Sequence, residues 1–191
     1  MSVSRESVRD AYSSAAKEPS LEHAFPVGRE FALSLGYPAG LLARLPDAAV
    51  GAFSGVADMS TSEILRGSTV LDMGCGAGMD SLIASRRTGP EGRVIGIDFS
   101  PAMIGRAAGA ATEDALSNVA FVLGSAEALP VRDRWADVAL VNGIFNLNID
   151  RDAIFAELAR TVRPGGTAYA AELVLREPHD TQGDDPASWF A

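Results

Sequence analysis

The chain has 191 residues, 47% hydrophobic and 21% charged, with a formal net charge of -9, a composition suited to one soluble domain whose core buries roughly 70% of the unfolded surface. The acidic balance and the scatter of the 16 Lys and Arg residues exclude a nucleic-acid partner, because phosphate backbones are held by clustered cations. No stretch approaches the roughly 18 apolar residues of a membrane span and the start, MSVSRESVRDAYSS, lacks a signal peptide's apolar run, so a cytoplasmic protein with no membrane partner is expected. Cys75 is the single cysteine, which excludes an internal disulfide and an all-cysteine metal site built from one chain, and no metal is expected.

In chain order, residues 4 to 17 place Val8, Ala11, Tyr12 and Ala15 on one helical face, and Pro19 stops the helix. The stretch 20 to 60 is mixed and reads as an irregular cap, with one short helix from Pro38 to Leu45. Thr69 to Met73 predicts a first strand, GCGAG a turn, and Asp80 to Arg87 a helix. Arg93 to Ile97 predicts a second strand ending at Asp98. Ser100 is then a good N-cap and Pro101 a good first helical residue, before Met103, Ile104, Ala107, Ala108 and Ala111 at helical spacing. Val119 to Leu123 and Asp137 to Asn142 predict the third and fourth strands. Asp150 caps a helix with Ile154, Phe155, Leu158 and Val162 on its apolar face, ended by Pro164-Gly165-Gly166, and Thr167 to Leu175 predicts a fifth strand. Helix and strand periods alternating in this way signal a parallel α/β sheet.

Open α/β sheets bind ligands at the carboxyl ends of their strands. In VLDMGCGAG, Gly74, Gly76 and Gly78 permit backbone torsions closed to other residues and let the main chain approach a ligand. The loop leads into a helix N-terminus, which favours an anionic group. Three glycines alone serve a ligand-free turn equally well. Two acids tip the balance: Asp72 lies just before the loop, where it can hold an ammonium, and Asp98 ends the next strand, where a carboxylate grips ribose hydroxyls. A nucleoside with an amino-acid tail fits both. The dinucleotide fingerprint G-x-G-x-x-G fits less well, because here the third glycine comes one residue early and Asp72 would repel a pyrophosphate. The pattern therefore favours S-adenosylmethionine over NAD.

The run from Gly67 through Leu175 resembles the core of the class I S-adenosylmethionine-dependent methyltransferases, and within them the arsenite methyltransferases. GSTVLDMGCGAGMDSLIASRRTGPEGRVIGIDFSPAMI, NVAFVLGSAEALPV, ADVALVNGIFNLN and RTVRPGGTAYAAELVL carry the resemblance, over more than half the chain. It implies a Rossmann-like, doubly wound α/β fold with five parallel strands in the order 3-2-1-4-5. It also implies a site in which Asp72, Gly74, Cys75, Gly76 and Gly78 line the methionine part, Asp98 the ribose, Met103 an adenine face, Ala126 and Glu127 the adenine edge, and Asn142 the sulfonium side. Tyr12 would close over the cofactor from the first helix. Met103 reads equally as a core residue, Glu127 as a solvated loop acid and Tyr12 as packing.

Two departures bear on the substrate. Arsenite methyltransferases hold trivalent arsenic with thiolates, soft ligands for a soft centre. Where the resemblance places one of these cysteines the sequence reads AFSGVAD, with Ser54 or Gly55 at the position; where it places another, Asn142 is followed by Gly143. Cys75, within the glycine loop, reads as a small turn residue. The resemblance thus implies methyl transfer to a small-molecule acceptor and leaves arsenic without its ligands.

Transfer from a sulfonium needs chiefly alignment and exclusion of water, and no catalytic acid or base stands out. His23 and His179 lie in the flanks, and Tyr37 and Asp58 reach an acceptor only if residues 20 to 60 cover the site. The expected organisation is one domain: a helical cap over 1–66, the cofactor-binding core over 67–175 and a tail over 176–191. The 16 residues after the fifth strand, REPHDTQGDDPASWFA, are too few for the helix and antiparallel strand pair that the related fold adds there. Either the chain is a fragment, or the fifth strand presents a bare edge that another chain must cover, as a homodimer would; the alternative to an active enzyme is then a cofactor-binding but catalytically incomplete, truncated protein that needs a partner chain.

Overall fold

The computed structural model of the chain describes residues 5–148 and 150–174. Thirteen elements follow in the order α1 (Arg5–Lys17), α2 (Arg29–Ser34), α3 (Ala39–Leu42), α4 (Asp47–Val50), a 3-10 turn (Met59–Thr61), β1 (Thr69–Met73), α5 (Met79–Thr88), β2 (Arg93–Asp98), α6 (Pro101–Glu113), β3 (Val119–Leu123), β4 (Ala136–Asn142), α7 (Arg151–Thr161) and β5 (Val162–Ala171). The strands form one parallel sheet in the order β3-β2-β1-β4-β5. The order reverses between β1 and β4, and the crevice at such a switch point is where ligands enter open α/β sheets.

Local sequence accounts for the major helices. The Ser100 hydroxyl accepts the Met103 N–H and Pro101 opens α6, which buries Met103, Ala107, Ala110 and Ala111. The Asp150 carboxylate caps α7 by accepting the Ala153 N–H at 3.0 Å, and Ile154 and Leu158 are buried. One face of the sheet packs against α7 through Leu71, Met73, Ala139, Ile154 and Leu158. On the other side the cap contributes Tyr37, Leu42, Val50 and Phe53 to a core shared with Met79, Leu82 and Ile83 of α5 and with Ala110 and Ala111 of α6. Sandwiched between cap and sheet, α5 buries eight of its ten residues.

Three expectations are corrected. The cap holds three short helices and a 3-10 turn rather than one helix over 38–45, and of that range only Ala39–Leu42 is helical. Helices of four to six residues carry too little periodicity to be legible alone; packing on α5 and α6 holds them. The fifth strand begins at Val162, directly after α7, so Val162 is a strand residue rather than part of the helix face. Ala136 pairs with Val162 and Val138 with Thr167, so residues 163–166 bulge opposite Asp137, and Pro164-Gly165-Gly166 lies within the strand instead of ahead of it. The strand ends at Ala171, short of the expected Leu175, which itself lies outside the described residues. Third, Phe155 is 56% exposed and stacks on Phe145 with ring centroids 4.8 Å apart, rather than joining the helix's buried face. No helix among the described residues is long and apolar enough to cross a membrane.

Candidate active site

The site begins where β1 ends. Gly74, Gly76 and Gly78 have φ of 76°, 51° and 86°, in the left-handed region open to glycine. The Gly74 and Cys75 N–H groups both donate to the Ile97 carbonyl at 2.8 and 3.0 Å, which ties the turn to β2. A Cβ at Gly74 would stand 2.3 Å from Ile144 Cγ2. At the end of β2 the Asp98 carboxylate accepts the Gly76 N–H at 3.0 Å and the Ser100 N–H at 2.8 Å, so one side chain braces two successive crossover loops. The Asp72 carboxylate accepts the Ser81 hydroxyl at 2.5 Å, and the Asp80 carboxylate accepts the Tyr37 hydroxyl at 2.6 Å and the Asn142 amide at 3.0 Å.

These groups surround a cleft of about 940 Å³, counting the space at its open mouth, at the carboxyl ends of β1, β2 and β4. Tyr12, Asp72, Gly74, Cys75, Gly76, Asp98, Ala126, Glu127 and Asn142 all line it. Gly78 and Met103 do not. A Cβ at Gly78 would meet Ala107 Cβ and Phe121 Cζ at 2.9 Å, so its bareness serves the packing of α5, and Met103 is fully buried among Ala15, Ala16, Phe25, Ala52 and Ala77. Tyr12 stacks on Phe25 at 4.5 Å, hydrogen-bonds Ser54 and faces Asp98, while the neighbouring Ser13 hydroxyl meets that of Ser100 at 2.8 Å and pins α1 over the site.

Tyr37 and Asp58, expected near an acceptor, do not line the cleft. Tyr37 is a buried brace for Asp80, and Asp58 caps the 3-10 turn through the Ser60 N–H. His23 Nε2 lies 3.0 Å from the Glu18 carbonyl, away from the lining, and His179 lies outside the described residues. The sequence reading passed over Asp80, Phe99, Ile144 and Leu147, which do line the cleft. Asp80 left one faint signal, an acid in the first turn after a glycine loop; the others are apolar and gave none.

The electrostatics are one-sided. Asp72, Asp80, Asp98 and Glu127 line the cleft, and among the described residues no Lys, Arg or His does. Burial pushes Asp72 up to about 7, with Asp80 adding to it and the Ser81 hydrogen bond opposing. Burial likewise raises Asp98 to about 6 against the N–H groups of Ser100, Gly76 and Phe99, and Asp80 to about 6 against Tyr37 and Asn142. The Cys75 thiol is pushed well up by burial and by Asp72 and Asp98. Such a lining disfavours phosphates and suits a ligand that brings positive charge.

A parallel sheet in this order, with a glycine turn after β1 and an acid at the tip of β2, defines the Rossmann-like class that carries S-adenosylmethionine-dependent methyltransferases. The chain belongs to the family described as Methyltransferase domain, whose model matches residues 64–188. An arsenite methyltransferase of Halobacterium salinarum is 35% identical over 144 residues, 75% of this chain and 37% of that protein. A demethylmenaquinone methyltransferase of Lactococcus lactis is 34% identical over 108 residues, 56% of this chain and 43% of that one. Among solved structures, an arsenic(III) S-adenosylmethionine methyltransferase from Chlamydomonas reinhardtii superposes with a TM-score of 0.55 at 28% identity, covering 72% of this chain and 46% of the other. The chain thus spans less than half the length of these relatives.

Proposed function

We propose that the chain binds S-adenosylmethionine in this cleft and transfers its methyl group to a small-molecule acceptor. The observation that carries the reading is the cluster of buried carboxylates facing the cleft with no counter-cation among the described residues: Asp72, Asp80 and Asp98 are 2%, 8% and 7% exposed. An ammonium and a sulfonium on one ligand supply the missing charge. In this reading Asp72 meets the ammonium, Asp98 grips the ribose hydroxyls, Gly74, Cys75 and Gly76 lie along the methionine part, and Ala126 and Glu127 mark the adenine edge. Gly76 fits such a cradle, since a Cβ there would meet nothing within 4 Å and would take up cleft space. Met103 is left to the core.

When bound, the cofactor supplies an activated methyl group. The chain's own part is to align the acceptor's lone pair behind that carbon and to exclude water. Asn142 sits at the methyl side, with Phe53, Ser54, Gly55 and Gly143 as the acceptor wall and Tyr12 closing from above. A neutral or cationic acceptor suits this wall better than an anion. Arsenic does not suit it: Ser54, Gly55 and Gly143 offer no sulfur, and Cys75, the chain's single thiol, is buried and held protonated.

A second reading is cofactor binding without turnover by this chain alone, since the matched segments cover 37% and 43% of these two methyltransferases. A homodimer belongs to the proposal as well: β5 pairs only with β4 among the described residues, and beside it Leu173 and Val174 are 56% and 82% exposed. Sedimentation across a concentration series checks it, a monomer throughout refuting it. Transfer of labelled methyl from S-adenosylmethionine to a panel of phenols, thiols and arsenite tests the activity. Label on a phenol or thiol supports the first reading, binding without transfer selects the second, and arsenite as the preferred acceptor would contradict the account of the wall.

A further inference from the structure

We propose that Asp80 is a positioning residue that holds the acceptor wall of the site in place by tying the Asn142 amide to α5. The inference rests on reading the cleft as a methyl-transfer site.

The Asn142 amide is the joint between sheet and cap. Its Oδ1 accepts the N–H groups of Val56 and Ala57 at 2.8 and 3.1 Å, while its Nδ2 donates to the Ala57 carbonyl and to Asp80 Oδ2, both at 3.0 Å. The opposite orientation would turn Nδ2 toward two N–H donors and Oδ1 toward two acceptors. An ionised Asp80 accepts only, so it reinforces the orientation that the backbone of Val56 and Ala57 selects and ties the amide to α5. Its second oxygen accepts the Tyr37 hydroxyl, which in turn accepts the Met59 N–H at 3.0 Å. One buried carboxylate therefore anchors the cap segment at both ends, at Val56–Ala57 through Asn142 and at Met59 through Tyr37.

Phe53, Ser54 and Gly55, immediately before the clamped residues, line the cleft. The fit there is close. A Cβ at Gly55 would stand 2.4 Å from Asn142 Nδ2, and one at Gly143 would stand 2.9 Å from Val56 Cγ1. A rotated Asn142 amide would displace the wall that faces the transferred methyl group.

Amide hydrogen exchange in the ligand-free protein tests the clamp, read against β1 and β4 as internal standards. Asp80→Asn keeps one oxygen, which the Tyr37 hydroxyl claims, and so turns its amide against the Asn142 Nδ2; it is expected to raise exchange at Val56 and Ala57 about tenfold, the loss of one hydrogen bond's worth of protection. The swap Asp80→Asn with Asn142→Asp restores an acceptor for both N–H groups and a donor between the two side chains, leaving only the Ala57 carbonyl without its donor. It is expected to return exchange to within about threefold of wild type. Tyr37→Phe keeps the charge of Asp80 and should raise exchange at Met59 about tenfold while Val56 and Ala57 stay within about twofold. Unchanged exchange in Asp80→Asn, a swap no better than the single change, or equal loosening of all three amides in Tyr37→Phe would overturn the proposal, as would loss of protection in β1 and β4. Absence of S-adenosylhomocysteine binding by wild type would overturn the functional reading instead, and the exchange result would stand apart from it.

Discussion

The Ser81 hydroxyl donates to Asp72 at 2.5 Å with both side chains buried, joining β1 to α5 across the glycine turn. This bond opposes the burial that lifts Asp72 to about 7. Ser81→Ala is expected to raise Asp72 further, so that it is protonated at neutral pH and meets an ammonium poorly. Affinity for S-adenosylhomocysteine should fall by up to about tenfold at pH 7, the worth of one hydrogen bond to a charged group, and recover at pH 8.5. Titration at the two pH values checks this; an equal loss at both would assign Ser81 a packing role.

Raised carboxylates also set the pH dependence of folding. Asp72, Asp80 and Asp98 stand at about 7, 6 and 6 in the folded chain, above the ordinary carboxylate value, so the folded state holds protons that the unfolded state has released. Stability from these groups is greatest below pH 4 and declines as pH rises from about 4 to 7. Asp137 and Glu157 are lowered and act in the opposite sense at more acid pH. Between pH 5 and 8 the ligand-free protein should therefore lose stability. Asp72→Asn, which keeps an oxygen for Ser81, should gain on the order of 2 kcal/mol at pH 8 while binding the cofactor less well. Thermal unfolding across that range checks both; a midpoint that rises toward pH 8 would contradict the assignment.

Two glycines of the turn should separate fold from function. Gly74→Ala forces a Cβ into Ile144 at a φ of 76° and should cost about 2 kcal/mol or more. Gly76→Ala has open space around it and should cost only about 1–2 kcal/mol for the left-handed backbone, yet weaken S-adenosylhomocysteine as strongly because its methyl lies in the cleft. Denaturant unfolding paired with titration gives the two numbers. A Gly76→Ala protein that binds normally would remove the turn from the cofactor path.

The first four strands, α5, α6 and α7 were legible because their signals are local: the Ser100 cap with Pro101, the Asp150 cap, and the glycine turn ahead of α5; the sheet order came from the family resemblance. What escaped depends on partners distant in sequence. Asp80 contacts Tyr37 and Asn142, 43 and 62 positions away, and nothing around it in the chain foretells either. The start of β5 escaped because a bulge of residues 163–166 has the same Pro-Gly-Gly signature as a loop between elements. Met103 shows the limit in the other direction, since helical spacing places it on the apolar face of its helix but does not say whether ligand or core lies beyond.

Met103→Ala resolves that last ambiguity. Met103 is fully buried in an alanine-rich cluster under α1, so its truncation should cost roughly 2–5 kcal/mol of stability. Affinity for S-adenosylhomocysteine should change by less than about threefold, under 1 kcal/mol. A large loss of affinity with little loss of stability would return Met103 to the adenine face.

The cofactor site itself is tested most directly by calorimetric titration of the chain with S-adenosylhomocysteine, wild type beside Asp98→Ala. Binding in the micromolar range by wild type, lost in a variant that still unfolds cooperatively, is the predicted result. A well-folded wild type with no measurable heat of binding, or an Asp98→Ala protein that binds as tightly as wild type, would contradict the assignment of this cleft.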